Sequence, residues 1–221
     1  MKLIPPKHLT YMPGIGIDLT RYDPGEVTTE QIRALKRELG IGPDDRILLM
    51  VAEFIPRKRH RDALSALRKL NRPGVHLLLA GDGPLMAEMK ELAARWGLGS
   101  RVHFLGFGDD IPVLVRSAAA VLLPSMREGL PRAILEAMSL ETPVIASRIR
   151  GAEELLEGDR GLLFPVGDVD ALAGQMAWIL DHPEEARAIA GRARRRVAAY
   201  DIRPILTMHE QLYERALQRT R

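Results

Sequence analysis

The 221-residue chain contains no cysteine, only 5% aromatic residues, and no apolar run near the ~18 residues needed to cross a bilayer as a helix. The first absence excludes disulfides and thiolate metal sites. The last excludes a helical membrane span within the chain, and the opening residues lack the apolar stretch of a secretory signal. Charge of one sign is scarce too: 32 Lys and Arg face 29 Asp and Glu, a formal net charge of +3. The one dense basic run, Arg192–Ala193–Arg194–Arg195–Arg196, has helical spacing and reads as a solvated helix face, so no nucleic-acid partner is expected. The six histidines are scattered in sequence, with no His/Asp/Glu spacing of a metal site. No G-x-S-x-G elbow surrounds Ser125, so serine hydrolysis has no support.

What remains is ordinary globular composition, 46% hydrophobic and 28% charged, at a length suited to one large domain. Residues 1–24 are rich in Pro and Gly without periodicity. A helix is predicted over 28–39, opened by a capping box of Thr28 and Gln31 and stopped by Gly40 and Gly42. Strands are predicted at 46–53, 75–80, 102–105, 119–123, 144–146 and 161–164. Helices are predicted at 59–70, 84–96, 111–117, 131–140, 168–180, 183–199 and 204–218. Strands and helices alternate, and several strands are continuously apolar. That pattern predicts a Rossmann-like, doubly wound parallel α/β sheet with extra helices at the C-terminal end. In such sheets ligands sit beyond the carboxyl ends of the strands.

The most informative stretch, residues 124–138, reads as a strand end, a turn and a helix. Glu128 lies before the turn, and Glu136 lies eight positions later on the helix. Gly129 permits close backbone approach to a ligand. Pro131 suits a helix start, whose unpaired N–H groups and dipole favour phosphate. The N–H groups of Gly129, Leu130 and the residues just after Pro131 are candidate phosphate donors. One site can thus hold a phosphate and present two hydroxyl-binding carboxylates, a combination suited to a nucleotide-sugar. A glycoside hydrolase pair is the competing reading of two carboxylates, but a helix N-terminus between them suits an anion better than a neutral glycosidic bond. Arg57 and Lys58 follow a strand end, where cations can neutralise a diphosphate leaving group. Gly106 and Phe107 end another strand.

The 124–138 stretch resembles the E-x7-E motif of retaining GT-B glycosyltransferases of family 4, the group 1 glycosyltransferases. Other pieces resemble that family in the same order: Val51–Ala52–Glu53–Phe54–Ile55–Pro56–Arg57–Lys58, Leu79–Ala80–Gly81–Asp82–Gly83–Pro84, Val102–His103–Phe104–Leu105–Gly106–Phe107, and Gly161–Leu162–Leu163–Phe164–Pro165. The resemblance covers nearly the whole chain from Tyr11. It implies Glu136 on the ribose hydroxyls, Glu128 on the donor sugar, and Lys58 with Arg57 on the diphosphate, with Gly106 and Phe107 beside the base. Glu53 departs from the family's commoner Gly-Arg at positions 52–53, a departure that the resemblance links to polysaccharide synthesis, and Arg57 then supplies the missing charge. The Asp-x-Asp metal motif is missing, Asp109–Asp110 not having its form, so neither metal nor other cofactor is expected, and a UDP-sugar is the favoured donor. The resemblance further implies that 1–24 is an interdomain linker remnant and 25–221 the C-terminal donor-binding domain, with the N-terminal acceptor domain absent. Weak or no activity of the isolated chain follows, with self-association through the exposed interdomain face. The whole enzyme is expected in the cytoplasm, peripheral to the inner membrane face. An epimerase or phosphorylase of the same architecture, and a non-catalytic association module, stay open as alternatives.

Overall fold

The computed structural model describes residues 14–108 and 110–218. Expectations for residues 1–13, for Asp109 and for the last three residues lie outside that range. Six parallel strands form one sheet: β1 (Arg46–Val51), β2 (Val75–Ala80), β3 (Val102–Gly106), β4 (Ala120–Leu123), β5 (Val144–Ser147) and β6 (Leu162–Phe164). Their order is β3-β2-β1-β4-β5-β6. Register is set residue by residue, with Leu48 opposite both Leu77 of β2 and Ala120 of β4.

Helices cover both faces, which is why β2 and β4 are buried along their whole length. Alternate residues of β1 separate into two cores. Ile47 and Leu49 join α1 (Thr29–Glu38), α4 (Ile111–Ser117), α5 (Arg132–Ser139), α6 (Arg150–Leu156) and α8 (Pro183–Val197) on one side. Leu48 and Met50 join α2 (His60–Leu70), α3 (Met86–Arg95) and α7 (Val169–Asp181) on the other. The capping box at Thr28 and Gln31 is formed. A final helix, α9 (Ile202–Gln218), is mostly exposed.

The described part of the Pro/Gly-rich opening, 14–24, is seated in the fold. Ile17 and Tyr22 are buried in the first core. Ile17 N–H donates to the Tyr200 carbonyl at 2.8 Å, and Ile202 N–H donates to the Ile17 carbonyl at 2.9 Å, so this segment is stitched to the start of α9.

The sequence pattern misses α6. Its seven residues begin Arg150–Gly151, and a glycine near a helix start reads as a turn. Gly151 is required by contact instead: a Cβ there would lie 2.1 Å from the Gly129 carbonyl oxygen and 3.0 Å from that of Glu128. Pro131 also sits one position ahead of the expected first turn, as the N-cap of α5 with an extended ψ of 107°.

Candidate donor site

Strand order reverses between β1 and β4, and the connections after both strands open at that switch point. The loop after β1 carries Arg57 and Lys58 in a short 3₁₀ turn, and the loop after β4 leads through Glu128 into α5. The two loops are joined directly, Met126 N–H donating to the Arg57 carbonyl at 2.8 Å.

A cavity of about 360 Å³ lies between them, and its lining includes Tyr22, Lys58, Glu128, Pro131, Arg132 and Glu136. Lys58 Nζ donates to Glu128 Oε1 at 2.6 Å, and both side chains are largely buried. Arg57 Nη1 stands 3.8 Å from Glu128 Oε2 and is about half exposed. Glu136 is 5% exposed, and its Oε1 accepts from Tyr22 Oη at 2.8 Å and from Arg132 Nε at 3.0 Å. Burial, with the Glu136 charge beside it, raises the Tyr22 pKa, so the hydroxyl remains a donor. The uncapped N-terminus of α5 faces the same space, since Pro131, Arg132 and Ala133 all line it. With Arg21 also in the lining, four cations gather around two carboxylates, a balance suited to a polyanion.

The predicted site residues fall into three groups. Glu128, Lys58, Glu136, Pro131 and Phe107 line the one cavity, with Arg57 at its edge. Glu53 lines an adjoining depression of about 580 Å³, which shares Val51, Ala80, Gly81 and Phe107 with the first. Gly106, Gly129 and Leu130 flank the cavity without being part of its lining. Gly106 has φ +69°, the left-handed region that glycine adopts without strain. Gly129 is exposed, and a Cβ there would meet nothing within 4 Å. Leu130 is half-buried against the core and presses on Gly14. Phe107 is 90% exposed.

Tyr22 and Arg132 were not expected here. Arg132 is four residues before Glu136, the helical pair spacing that reveals it. Tyr22 carries no local signal, being 114 positions from its partner. The histidines also prove less scattered than their sequence positions imply, because His76 and His103 sit on neighbouring strands. His76 Nδ1 lies 3.0 Å from His103 Nε2, and His76 Nε2 lies 3.2 Å from Asp45 Oδ2. Among the described residues no group of three or more His, Cys, Asp or Glu is placed to hold a metal ion.

Fold and site together define a doubly wound, Rossmann-like α/β domain of the kind that forms one half of the GT-B architecture. The comparisons with known proteins agree. The model of the family "Glycosyl transferases group 1" matches residues 31–196, and the chain belongs to that family. It is 33% identical over 182 residues to N-acetyl-alpha-D-glucosaminyl L-malate synthase of Bacillus anthracis, covering 81% of this chain and 48% of that protein. It is 33% identical over 174 residues to alpha-D-kanosaminyltransferase of Streptomyces kanamyceticus, covering 76% and 45%. The crystal structure of Anabaena HepE in complex with UDP-glucose superposes with a TM-score of 0.82 at 28% identity, covering 90% of this chain and 56% of that one. The chain thus spans about half the length of the relatives it matches. Among the described residues no helix is long and apolar enough to cross a membrane.

Proposed function

We propose that residues 25–221 are the donor-binding, C-terminal half of a retaining, family 4 glycosyltransferase that takes its sugar from UDP. The observation that carries this is the pairing of Lys58 and Glu128 across the switch-point cavity, with Glu136 and an uncapped helix N-terminus in the same lining. A diphosphate binding there competes for Lys58. It frees the Glu128 carboxylate to accept hydrogen bonds from sugar hydroxyls, while Glu136 accepts from the ribose. As the anomeric carbon–oxygen bond breaks, the electron pair leaves on the diphosphate, where Lys58, Arg57 and the α5 N-terminus stabilise it. The acceptor then bonds to the anomeric carbon, and its hydroxyl proton is taken up by the departing phosphate. These cations do the electrostatic work of a divalent metal, so binding is expected to survive EDTA.

Residues 14–24 fit the part of an interdomain connector, and acceptor recognition belongs to the half of the relatives that this chain does not span. Weak or no sugar transfer by the chain itself is expected. Phe107, in the cavity lining, and Met126, on the loop after β4, are both exposed apolar side chains that a rim beside the cavity would use. Self-association through that rim at high concentration is part of the reading, and sedimentation velocity showing a monomer at every concentration would remove it.

Calorimetric titration with UDP, GDP and ADP tests the central assignment, repeated with Glu136→Ala and Lys58→Ala. Saturable binding of UDP, weakened by both changes, supports it. No binding at millimolar nucleotide, or binding indifferent to both changes, overturns it.

A further inference from the structure

We infer that Tyr22 is a positioning residue that, with Arg132, fixes the Glu136 carboxylate as a reader of the ribose diol and so makes the site select ribonucleotides over deoxyribonucleotides. The inference rests on the donor-site reading above and adds what holds that carboxylate in place.

Both donors converge on one oxygen. Tyr22 Oη and Arg132 Nε each bond Glu136 Oε1, at 2.8 and 3.0 Å. Oε2 takes no partner among the described residues, and it is not sealed from solvent. Since Glu136 lines the cavity, Oε2 is the acceptor left for a ligand. The side chain of a glutamate has three rotatable bonds, and a carboxylate swinging freely loses much of its binding contribution to ordering. Here that freedom is removed before ligand arrives. Tyr22 is 2% exposed and packed in the first core, and its segment is anchored by the Ile17 and Ile202 hydrogen bonds. The hydroxyl is therefore presented from a rigid base. Arg132 approaches from the solvent side, one helical turn before Glu136.

Such a carboxylate discriminates through the hydroxyls it accepts from. A hydrogen bond to a charged group contributes about 1.5–3 kcal/mol, equivalent to about ten- to a hundredfold in affinity, so 2′-deoxy-UDP should bind more weakly than UDP by that factor. Removing the Tyr22 hydroxyl lets the carboxylate wander or turn away. The preference should then fall at least about twofold, the lower end of a typical net hydrogen bond's worth. A purely structural role for Tyr22 would weaken both nucleotides equally and leave their ratio unchanged.

The test is calorimetric titration of the chain with UDP and with 2′-deoxy-UDP, for the native protein, Tyr22→Phe and Arg132→Gln. The expected result is a clear native preference for UDP that shrinks in both variants, with 2′-deoxy-UDP affinity in Tyr22→Phe close to native. If the native chain prefers UDP and Tyr22→Phe keeps the full ratio, the inference is overturned and the donor-site reading stands. If the native chain binds the two nucleotides equally, or binds neither, the ribose assignment of Glu136 fails and the inference falls with it. Should Tyr22→Phe not fold, Arg132→Gln decides: its side chain is 61% exposed, and an unchanged ratio there overturns the inference.

Discussion

Replacing Gly151 by alanine sets two effects of opposite sign against each other. In a helix, alanine is favoured over glycine by up to about 1 kcal/mol, so propensity alone predicts a more stable protein. Contact predicts the reverse. The new Cβ would lie 2.1 Å from the Gly129 carbonyl oxygen, more than 1 Å short of ordinary contact, which begins at 3.4 Å. Either α6 or the 128–129 turn must move. The helix is held by Ala152, Leu155 and Leu156, all fully buried, whereas Gly129 is exposed. The turn therefore yields and carries Glu128 with it, straining the 2.6 Å contact to Lys58. Overpacking costs about 1–3 kcal/mol, which outweighs propensity and leaves a net loss of about 1 kcal/mol. The functional effect is larger, since each hydrogen bond to the displaced Glu128 carboxylate contributes about 1.5–3 kcal/mol, or about tenfold or more in affinity. Urea unfolding measures the first quantity. Calorimetry with UDP-glucose and UDP measures the second, where UDP-glucose affinity should fall by tenfold or more and UDP affinity should fall less. A Gly151→Ala protein at least as stable as the native one, with unchanged UDP-glucose affinity, would refute the reasoning.

Acid should act through His60, which is buried and stacked 4.0 Å from the Phe54 ring. Burial pushes its pKa down to about 4 from 6.5; the Ala52 backbone draws it partly back, though outside good hydrogen-bond geometry for either ring nitrogen, and Lys58 adds to the fall. The unfolded chain takes up a proton near pH 6.5 and the folded chain only near 4, so this stabilisation is complete above pH 6.5 and lost as pH falls to about 4. The loss amounts to about 3 kcal/mol. Native protein should lose that much more than His60→Leu between pH 7 and pH 4 in urea unfolding, and parallel pH curves would contradict it. Glu128→Gln should leave UDP affinity at or above native, because the diphosphate no longer competes with a carboxylate for Lys58, while removing the extra affinity for UDP-glucose, because an amide accepts from sugar hydroxyls less strongly than a carboxylate does; titration with both ligands checks this. Lys69→Ala breaks an exposed ion pair with Asp170, and thermal unfolding should show a change under about 1 kcal/mol.

The parts of this molecule legible in its sequence are those governed by local pattern. Apolar runs such as Leu48–Leu49–Met50 mark strands covered on both faces, Thr28 and Gln31 mark a helix start, and the spacing of Glu128 and Glu136 places one carboxylate before a helix and the other on it. What escaped depends on contacts between distant segments. The glycine of α6 looks like a helix breaker until the Gly129 carbonyl is seen against it. Tyr22 lies in a Pro/Gly-rich stretch that reads as connector, and nothing near it points to a helix 114 positions away. His76 and His103 meet only because β2 and β3 pair in one particular register, with Leu77 opposite Val102. The adjoining depression at Glu53 likewise depends on how the ends of β1, β2 and β3 lie side by side.

The stitch between Ile17 and the start of α9 also sets how the domain responds to mechanical load. Tension applied at residue 14 and at the far end of α9 runs from one side to the other through that bridge, held by the two hydrogen bonds of Ile17. The sheet lies outside this path and bears no tension until the bridge gives way. In an optical trap the first event should therefore be a small extension at low force, as the bridge opens and α9 peels away, with the six strands still folded. A second, larger rip then reports the sheet, whose strands are loaded only after Tyr22 has been drawn off Glu136.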